Sequence, residues 1–311
     1  MNPVYSMLRP FRLQYTSNLF VDLHKHSFTK LLQPAASHLA LTGNIGRPEH
    51  PNTFHFLSYC SKHWDSVFWV PGPHELTNTT TGCATYKEKT MYAYQLCKHF
   101  KNIRLMNSNE AVFRESNVVL LGTPLWSPLL LPPKGQPEFE RIYTSMDEAG
   151  PIPLTYELRN QWWKSDKLFL YERSLFWTIV YPDVNLIYLT HTIPTSRLLT
   201  YPVTETAMNR LPLDCYQANP ETNVRAWIGG ASGSTQTTRI GTELDTQMVA
   251  AVNSAYEYPF TNHISKKEYD PQCVLEVNPI APRKSLAPSL PNLILPPILS
   301  SLFDRKPILT A

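Results

Sequence analysis

The sequence has little charge and no run of basic residues. Charged residues make up 17% of the 311 residues, and 28 Lys and Arg stand against 25 Asp and Glu, which gives a formal net charge of +3. Nowhere do four basic residues follow one another. Chains that bind nucleic acid or an anionic membrane by charge typically contain runs of basic residues. The composition therefore predicts neither partner, and its 42% hydrophobic residues indicate a globular protein.

Cysteine is also scarce. The chain has 5 cysteines, an odd number, and none of them forms a Cys-x-x-Cys pair. This argues against a disulfide framework or a zinc knot and favours a reducing, intracellular compartment. No signal peptide is evident, because the first residues lack a long apolar core. The most apolar segment, 290–302, is broken by prolines, so we expect no membrane span.

The composition changes after Val277. Residues 278–311 contain seven prolines, no glycine and many Leu and Ile residues. Such a segment cannot form a regular helix or a central strand, and it is too apolar for an ordinary solvated linker. We therefore predict three parts: an N-terminal extension (1–12), a domain (13–277) and an extended tail (278–311). The tail is expected to dock on a protein partner or a neighbouring subunit.

Short apolar runs alternate with segments of helical periodicity in the domain. Such an order of strand, polar turn, helix and strand is typical of an α/β fold. The strands are predicted at 13–23, where the strand runs into a loop, and at 38–42, 66–70, 112–113, 118–121, 185–190 and 226–228. The helices are predicted at 28–37, 51–64 and 86–100, with one or two more at 156–181. Loops that follow strands should meet at one edge of a sheet. The loops in question are 22–26, 43–46, 72–75, 191–194 and 229–234.

Several of these loops carry potential metal ligands. Asp22 and His24 lie two residues apart, so on an extended segment both side chains would leave the same face. A carboxylate and an imidazole placed in this way can hold a divalent metal, although an isolated match is more often a polar turn. His74 and His191 each follow an apolar strand and repeat the pattern.

Six sequence blocks, taken in order, resemble the calcineurin-like metallophosphoesterases. They are VDLH, LALTGNIGRP, VFWVPGPHE, LLGTPLWS, IYLTHTIP and AWIGGASGS, and the resemblance spans about residues 13–277. It implies a four-layer α/β/β/α sandwich with two central mixed sheets. It also implies a site in which two metal ions polarise a phosphate ester and generate a hydroxide nucleophile.

The resemblance assigns roles to the residues that are retained. Asp22, His24 and His191 match metal-ligand positions, and His74 matches the histidine that contacts the phosphate and the leaving group. Glycines at the strand ends are retained as well, which is expected where the backbone must turn sharply. The turn geometry of the family is therefore expected in this chain.

Other ligand positions are changed. Asn44 stands in the position of the carboxylate that bridges both metals, and Pro73 in that of an amide ligand; Ala231 and Gly233 stand in the positions of two histidines. Four of the seven ligand positions therefore differ. A neutral amide cannot replace a negative charge between two divalent cations. The pattern predicts a fold that has lost its reaction.

Three functions remain open at this point. The first is a non-catalytic structural or interaction protein with no cofactor, or at most a weakly bound Mn, Zn, Fe or Mg ion. Degenerate versions of the fold in large DNA viruses resemble it, which implies an intracellular protein that could enter a virus particle. The second is an active phosphomonoesterase or phosphodiesterase with one metal on Asp22 and His24. The third is a metal-free phosphate-binding module that uses turn amides with His74 or Arg47.

A different register of the blocks would make other residues the ligands. The candidates are His26, His50, His55, His63, Asp214 and Asp245. The flanking apolar strands favour the register given above.

Overall fold

The structure is a computed structural model. It describes residues 9–25, 27–76, 85–126, 156–193, 198, 223–230, 235–241, 247–256 and 269–278. These residues belong to one compact unit, Met1–Ile280. The predicted tail lies outside the described residues beyond Asn278, so its extended path and its apolar contacts stay predictions.

Five helices and eleven strands are described. The helices are α1 (Phe28–Leu31), α2 (Pro51–His63), α3 (Pro73–Leu76), α4 (Tyr86–Lys98) and α5 (Tyr156–Val180). The strands are β1 (Phe11–Thr16), β2 (His38–Thr42), β3 (Ser66–Val70), β4 (Ile103–Leu105), β5 (Asn109–Phe113), β6 (Val118–Thr123), β7 (Asn185–Thr190), β8 (Val224–Gly229), β9 (Thr235–Gly241), β10 (Gln247–Asn253) and β11 (Val274–Val277).

The strands form two mixed sheets. The first sheet has the order β11-β1-β2-β3-β4, in which β1 to β4 are parallel and β11 is antiparallel at the edge. The second sheet has the order β5-β6-β7-β8-β10-β9, with a parallel centre and antiparallel strands at both edges. The parallel centres explain why the strands read as continuous apolar runs, since both faces are covered.

Apolar side chains pack between four layers of the described structure. Leu39 and Leu41 of β2 pack toward α2 and α4, whereas Ala40 between them packs toward the second sheet. On β7, Ile187 faces the first sheet and Leu186 faces α5. Alternate side chains of a strand leave opposite faces, so each sheet contributes to two cores. The predicted α/β/β/α sandwich is confirmed.

Local signals set the helix ends, with some corrections. α2 begins at Pro51, as predicted, and is capped by His50, whose Nδ1 accepts from Asn52 N at 3.2 Å. Pro51 in the first turn needs no donor there. The helix predicted for 28–37 ends at Leu31, a few residues before Pro34, which cannot continue it. Among the described residues, no helix is both long and apolar enough to cross a bilayer.

Candidate functional site

The loops that follow strands of both sheets meet at one edge of the sandwich. Asn18 N donates to Gly43 O at 3.0 Å, which joins the loops after β1 and β2. His191, directly after β7, places Nδ1 3.2 Å from Thr42 O, and its own carbonyl accepts from Gly230 N at 2.8 Å. The predicted convergence is confirmed for the described parts of these loops.

Two glycines permit this close approach. A Cβ on Gly230 would lie 1.8 Å from Thr42 O, so any side chain there would push the sheets apart. Gly43 has a φ of +88°, and a Cβ on it would lie 2.3 Å from His191 Nδ1. Glycine adopts that left-handed conformation without strain. The retained glycines therefore serve the assembly of the edge.

Asp22 and His74 form the centre of the site. His74 Nε2 lies 2.9 Å from each carboxylate oxygen of Asp22, and Arg47 Nε lies 3.8 Å from Oδ2. The Asp22 side chain is fully buried and that of His74 is 9% exposed. The sequence assigned His74 to phosphate and Asp22 to metal, but the structure pairs them with each other.

The surroundings keep Asp22 ionised. Burial by itself raises the pKa of Asp22, but the hydrogen bond and charge of His74, followed by the charge of Arg47, outweigh it and lower the pKa. An ionised carboxylate only accepts hydrogen bonds, so Nε2 of His74 carries the proton of this contact.

His24 is not placed as predicted. Residues 21–23 form a turn in which Leu23 N and His24 N both donate to Phe20 O, at 2.9 and 3.1 Å. The expectation of an extended segment with Asp22 and His24 on one face is therefore wrong. The His24 ring stacks on Tyr256 at 4.0 Å between centroids, whereas Asp22 contacts His74.

Asn44, which the sequence resemblance matches to the bridging carboxylate, adopts a left-handed conformation with a φ of +56°. Its Oδ1 accepts from His74 N at 3.0 Å, and its Nδ2 donates to Asn18 Oδ1 at 3.1 Å. Both ends of the amide are thus used by the protein. Asn44 therefore links the loops after β1, β2 and β3 by hydrogen bonds.

Glu75 holds the turn after β2. This fully buried carboxylate accepts from the backbone N–H groups of Gly72, Asn44, Ile45 and Gly46. Burial raises the pKa of Glu75, although the charge of His74 and these donors oppose the shift. The sequence pattern retained Glu75 without a role. The signal that was available is a glycine-containing turn whose N–H groups need an acceptor.

His191 lies on the second sheet's side of the edge as a neutral imidazole. Burial, with the charge of Arg159 adding to it, lowers the pKa of His191 to about 4, while the bond to Thr42 O opposes the shift. A Cβ atom on Gly43 or on Gly72 would lie 2.3 or 2.9 Å from His191 Nδ1, so this nitrogen faces both glycines. His191 therefore lies beside the turn that carries Asn44.

A buried carboxylate supports the loop beside His191. Asp166 of α5 accepts from Thr123 Oγ1 at 2.7 Å and from Leu125 N at 2.8 Å. Pro124 O, within the same turn, accepts from His191 N at 3.1 Å. Burial raises the pKa of Asp166 to about 6 against the effect of its hydrogen-bond donors. No sequence pattern pointed to Asp166, because it lies inside a helix far from any motif.

The remaining candidates do not join this centre. Pro73 begins α3 and offers no ligand atom. His50 caps α2, and His55 and His63 are exposed on that helix. Ala231, Gly233, His26, Asp214 and Asp245 lie outside the described residues. In the described part of the chain, no three His, Cys, Asp or Glu side chains are grouped as metal ligands would be.

The described side chains do not fit a dinuclear metal centre. The position that the resemblance assigns to the bridging carboxylate holds a neutral amide, Asn44, whose oxygen and nitrogen both form hydrogen bonds within the protein. Asp22 contacts His74 and lies near Arg47. Two unit charges 4 Å apart repel by about 1 kcal/mol in water and by about 4 kcal/mol at an effective dielectric of about 20. A divalent ion near Arg47 would meet about twice that repulsion.

Comparison of the sequence with known proteins gives a match over part of the chain. No model of a known protein family matches the chain. Uncharacterized protein L509 of Acanthamoeba polyphaga mimivirus is 31% identical over 90 residues, which is 29% of this chain and 31% of that relative. The chain thus matches less than a third of the relative's length.

Solved structures give the wider match. The phosphopantetheinyl hydrolase PptH of Mycobacterium tuberculosis superposes with a TM-score of 0.61 at 18% identity, over 87% of this chain and 98% of that one. A putative 5'-nucleotidase from Staphylococcus aureus gives a TM-score of 0.41 at 10% identity, over 78% of this chain and 54% of that one. With the two mixed sheets and their helices, the PptH match defines a metallophosphoesterase-like α/β fold.

Proposed function

We propose that this chain keeps a metallophosphoesterase-like fold without two-metal phosphoester hydrolysis, and that it acts as a structural or interaction protein. The observation that carries the proposal is the engagement of Asn44. Its amide oxygen and nitrogen join three loops at the position where the reaction needs a bridging anion. A group that holds the backbone together in this way is a structural group.

The distribution of retained and changed features supports the same reading. The contacts that build the edge are intact: Gly230, Gly43 and the Glu75 carboxylate all make close backbone contacts. The groups that would hold metal ions are changed or paired within the protein. This combination is expected of a scaffold that is retained for its shape.

The interaction role rests on the composition of the tail. Residues 278–311 combine seven prolines with aliphatic residues such as Leu293, Ile294, Leu295 and Ile298. Proline reduces the entropy lost when an extended segment binds, and each aliphatic side chain that is fully buried contributes about 1.5–3 kcal/mol. We propose that this tail binds a protein partner or a neighbouring subunit. The match to a mimivirus protein is consistent with a virus-associated role.

The tail is tested by truncation at residue 278. A full-length variant with Leu293→Ser, Ile294→Ser, Leu295→Ser and Ile298→Ser keeps the prolines and removes the aliphatic side chains. It therefore tests whether these side chains carry the binding. Both should weaken assembly in analytical ultracentrifugation to a similar degree. If the truncated chain sediments, stays soluble and melts like the intact one, the tail has no such role.

The loss of hydrolysis is tested by metal content and turnover together. The purified protein should contain metal well below one ion per chain. It should also hydrolyse an aryl phosphate monoester or diester no faster than Asp22→Asn with added Mn²⁺, Zn²⁺ or Mg²⁺. Stoichiometric metal with turnover that Asp22→Asn abolishes would show the alternative function, an active phosphoesterase with an altered metal site.

A rescue variant sharpens the result. Asn44→Asp, Pro73→Asn, Ala231→His and Gly233→His together restore the ligand types of the family. Raised metal affinity in the combined variant, but not in Asn44→Asp alone, is the expected outcome, since a single carboxylate leaves the other positions incomplete. A combined variant that binds metal no better than the parent would show that the edge has changed in more than its ligands.

A further inference from the structure

We infer that the Arg47 guanidinium serves as a built-in cation for the Asp22 carboxylate, in the place where the fold would otherwise call for a metal ion. The inference rests on the proposed function and deepens it, because it says what replaced the metal. Asp22 is retained although four other ligand positions are changed. A retained buried carboxylate needs a positive partner, and the structure supplies one from the chain itself.

The geometry around Asp22 supports the assignment. The carboxylate is fully buried, and a buried charge without compensation is strongly unfavourable. His74 Nε2 donates to it from one side, 2.9 Å from each oxygen, and Arg47 Nε lies 3.8 Å away. The Nε of Arg47 is buried and makes no hydrogen bond within the described residues, so its attraction to Asp22 is one of charge.

The loop that carries Arg47 is braced on both sides. Before it, Gly46 N donates to the buried Glu75 at 3.2 Å. After it, His50 N donates to Arg47 O at 3.0 Å, and Glu49 pairs with the largely buried Lys89 of α4. The guanidinium is therefore presented from a fixed backbone, as a positioned charge requires.

Gly46 leaves room for this arrangement. An ideal Cβ at Gly46 would come within 3.3 Å of Asp22 Oδ1 and still closer to Thr53 and Val21. The turn thus passes directly beside the carboxylate, and Arg47 follows in the next position. Because its cation is covalently part of the chain, the site needs no metal to be charge-balanced and cannot be emptied by a chelator.

Removing the charge of Arg47 should expose Asp22 to metal. We expect Arg47→Met, which keeps the length but not the charge, to bind Mn²⁺ at least ~10-fold more tightly than the parent, and Mn²⁺ to raise its melting temperature by several degrees. Arg47→Lys, which keeps a charge, should behave like the parent. Electron paramagnetic resonance of free Mn²⁺ and thermal melting in EDTA and in Mn²⁺ measure both effects.

A double variant decides the case in which Arg47→Met folds poorly. Asp22→Asn removes the carboxylate that needs the cation, so Arg47→Met with Asp22→Asn should be more stable in EDTA than Arg47→Met alone and should not respond to Mn²⁺. Equal stability of the two variants in EDTA would overturn the inference. So would a Mn²⁺ response in Arg47→Met no larger than in the parent.

The outcome is separable from that of the proposed function. Turnover of a phosphate ester by the parent, abolished in Asp22→Asn, would refute the proposed function. The Arg47 inference is decided without turnover, by stability in EDTA and by Mn²⁺ binding.

Discussion

The two sheets contribute different electrostatics to the same edge. On the side of the first sheet, Asp22 is buried against the His74 imidazole and the Arg47 guanidinium, and its pKa falls. On the side of the second sheet, Asp166 is buried against a hydroxyl and backbone amides, and its pKa rises to about 6. Both residues carry the same carboxyl group, so their partners decide whether the pKa rises or falls. A buried carboxylate in a strand-end loop is informative only once its partner is known.

The largest effect is expected where the two sides touch. In Gly230→Ala, the added Cβ would lie 1.8 Å from Thr42 O, a backbone atom that cannot move aside. We expect a loss of about 4 kcal/mol or more in the free energy of unfolding, or no folded protein. Chemical denaturation measures it. Gly122→Ala is the comparison, because its new Cβ would lie 2.5 Å from Met106 Cβ, a less severe approach than 1.8 Å to a backbone oxygen, so its loss should be smaller. An equal loss in both variants would mean that the backbone approach is not special.

Loss of the Glu75 charge should weaken the first sheet's side next. Glu75→Gln replaces one acceptor oxygen by an amide that faces backbone donors, which leaves buried N–H groups without acceptors. We expect a loss of about 2–4 kcal/mol. Glu88→Gln is the control, since Glu88 also accepts from a backbone N–H but is exposed. Urea midpoints that shift equally in both variants would contradict the role of Glu75.

Asp166 should give the second sheet's side a distinct pH dependence. Its pKa rises from an ordinary 3.8 to about 6, so the folded state holds the proton more tightly. The stability from this group is present below pH ~4 and is lost as the pH rises through ~6, by up to roughly 3 kcal/mol. The parent should therefore lose stability relative to Asp166→Asn over that range. A constant difference between the two proteins from pH 4 to 7 would show that Asp166 does not titrate there.

Asp22 should show the opposite and smaller trend. Its pKa is lowered, so its contribution is present above the ordinary pKa of 3.8 and is lost as the pH falls below it. Asp22→Asn should therefore lose less stability than the parent on acidification in that acid range. Melting curves of both proteins in acid buffers provide the measurement. A parent that gains stability relative to Asp22→Asn as the pH falls would reverse the assignment.

Sequence patterns predicted the strands that are covered on both faces. β2, β3 and β7 have their predicted bounds, because a run of buried apolar residues flanked by polar turns has few other solutions. β4, with only three residues, and β9, with the polar sequence TQTTRIG, were missed. Their positions are set by pairing with a neighbour and not by their own composition.

The site was predictable in its location and not in its contacts. The order of strands and turns placed Asp22, Asn44, His74 and His191 at one edge, and the described backbone contacts bring their loops together. The pairing of Arg47 with Asp22 depends on the turn at 21–23. That turn is selected by loop-to-loop hydrogen bonds, such as Phe20 N to Asn44 O at 3.0 Å, which no local pattern encodes.

The conformation of Asn44 separates the shape of the turn from the charge that it carries. Asn44 has a φ of +56°, a conformation that Asn and Asp both tolerate better than most residues. Exchanging one for the other alters charge and leaves the turn as it is. At this position the backbone angle sets the shape of the turn, and a single side-chain atom sets its charge.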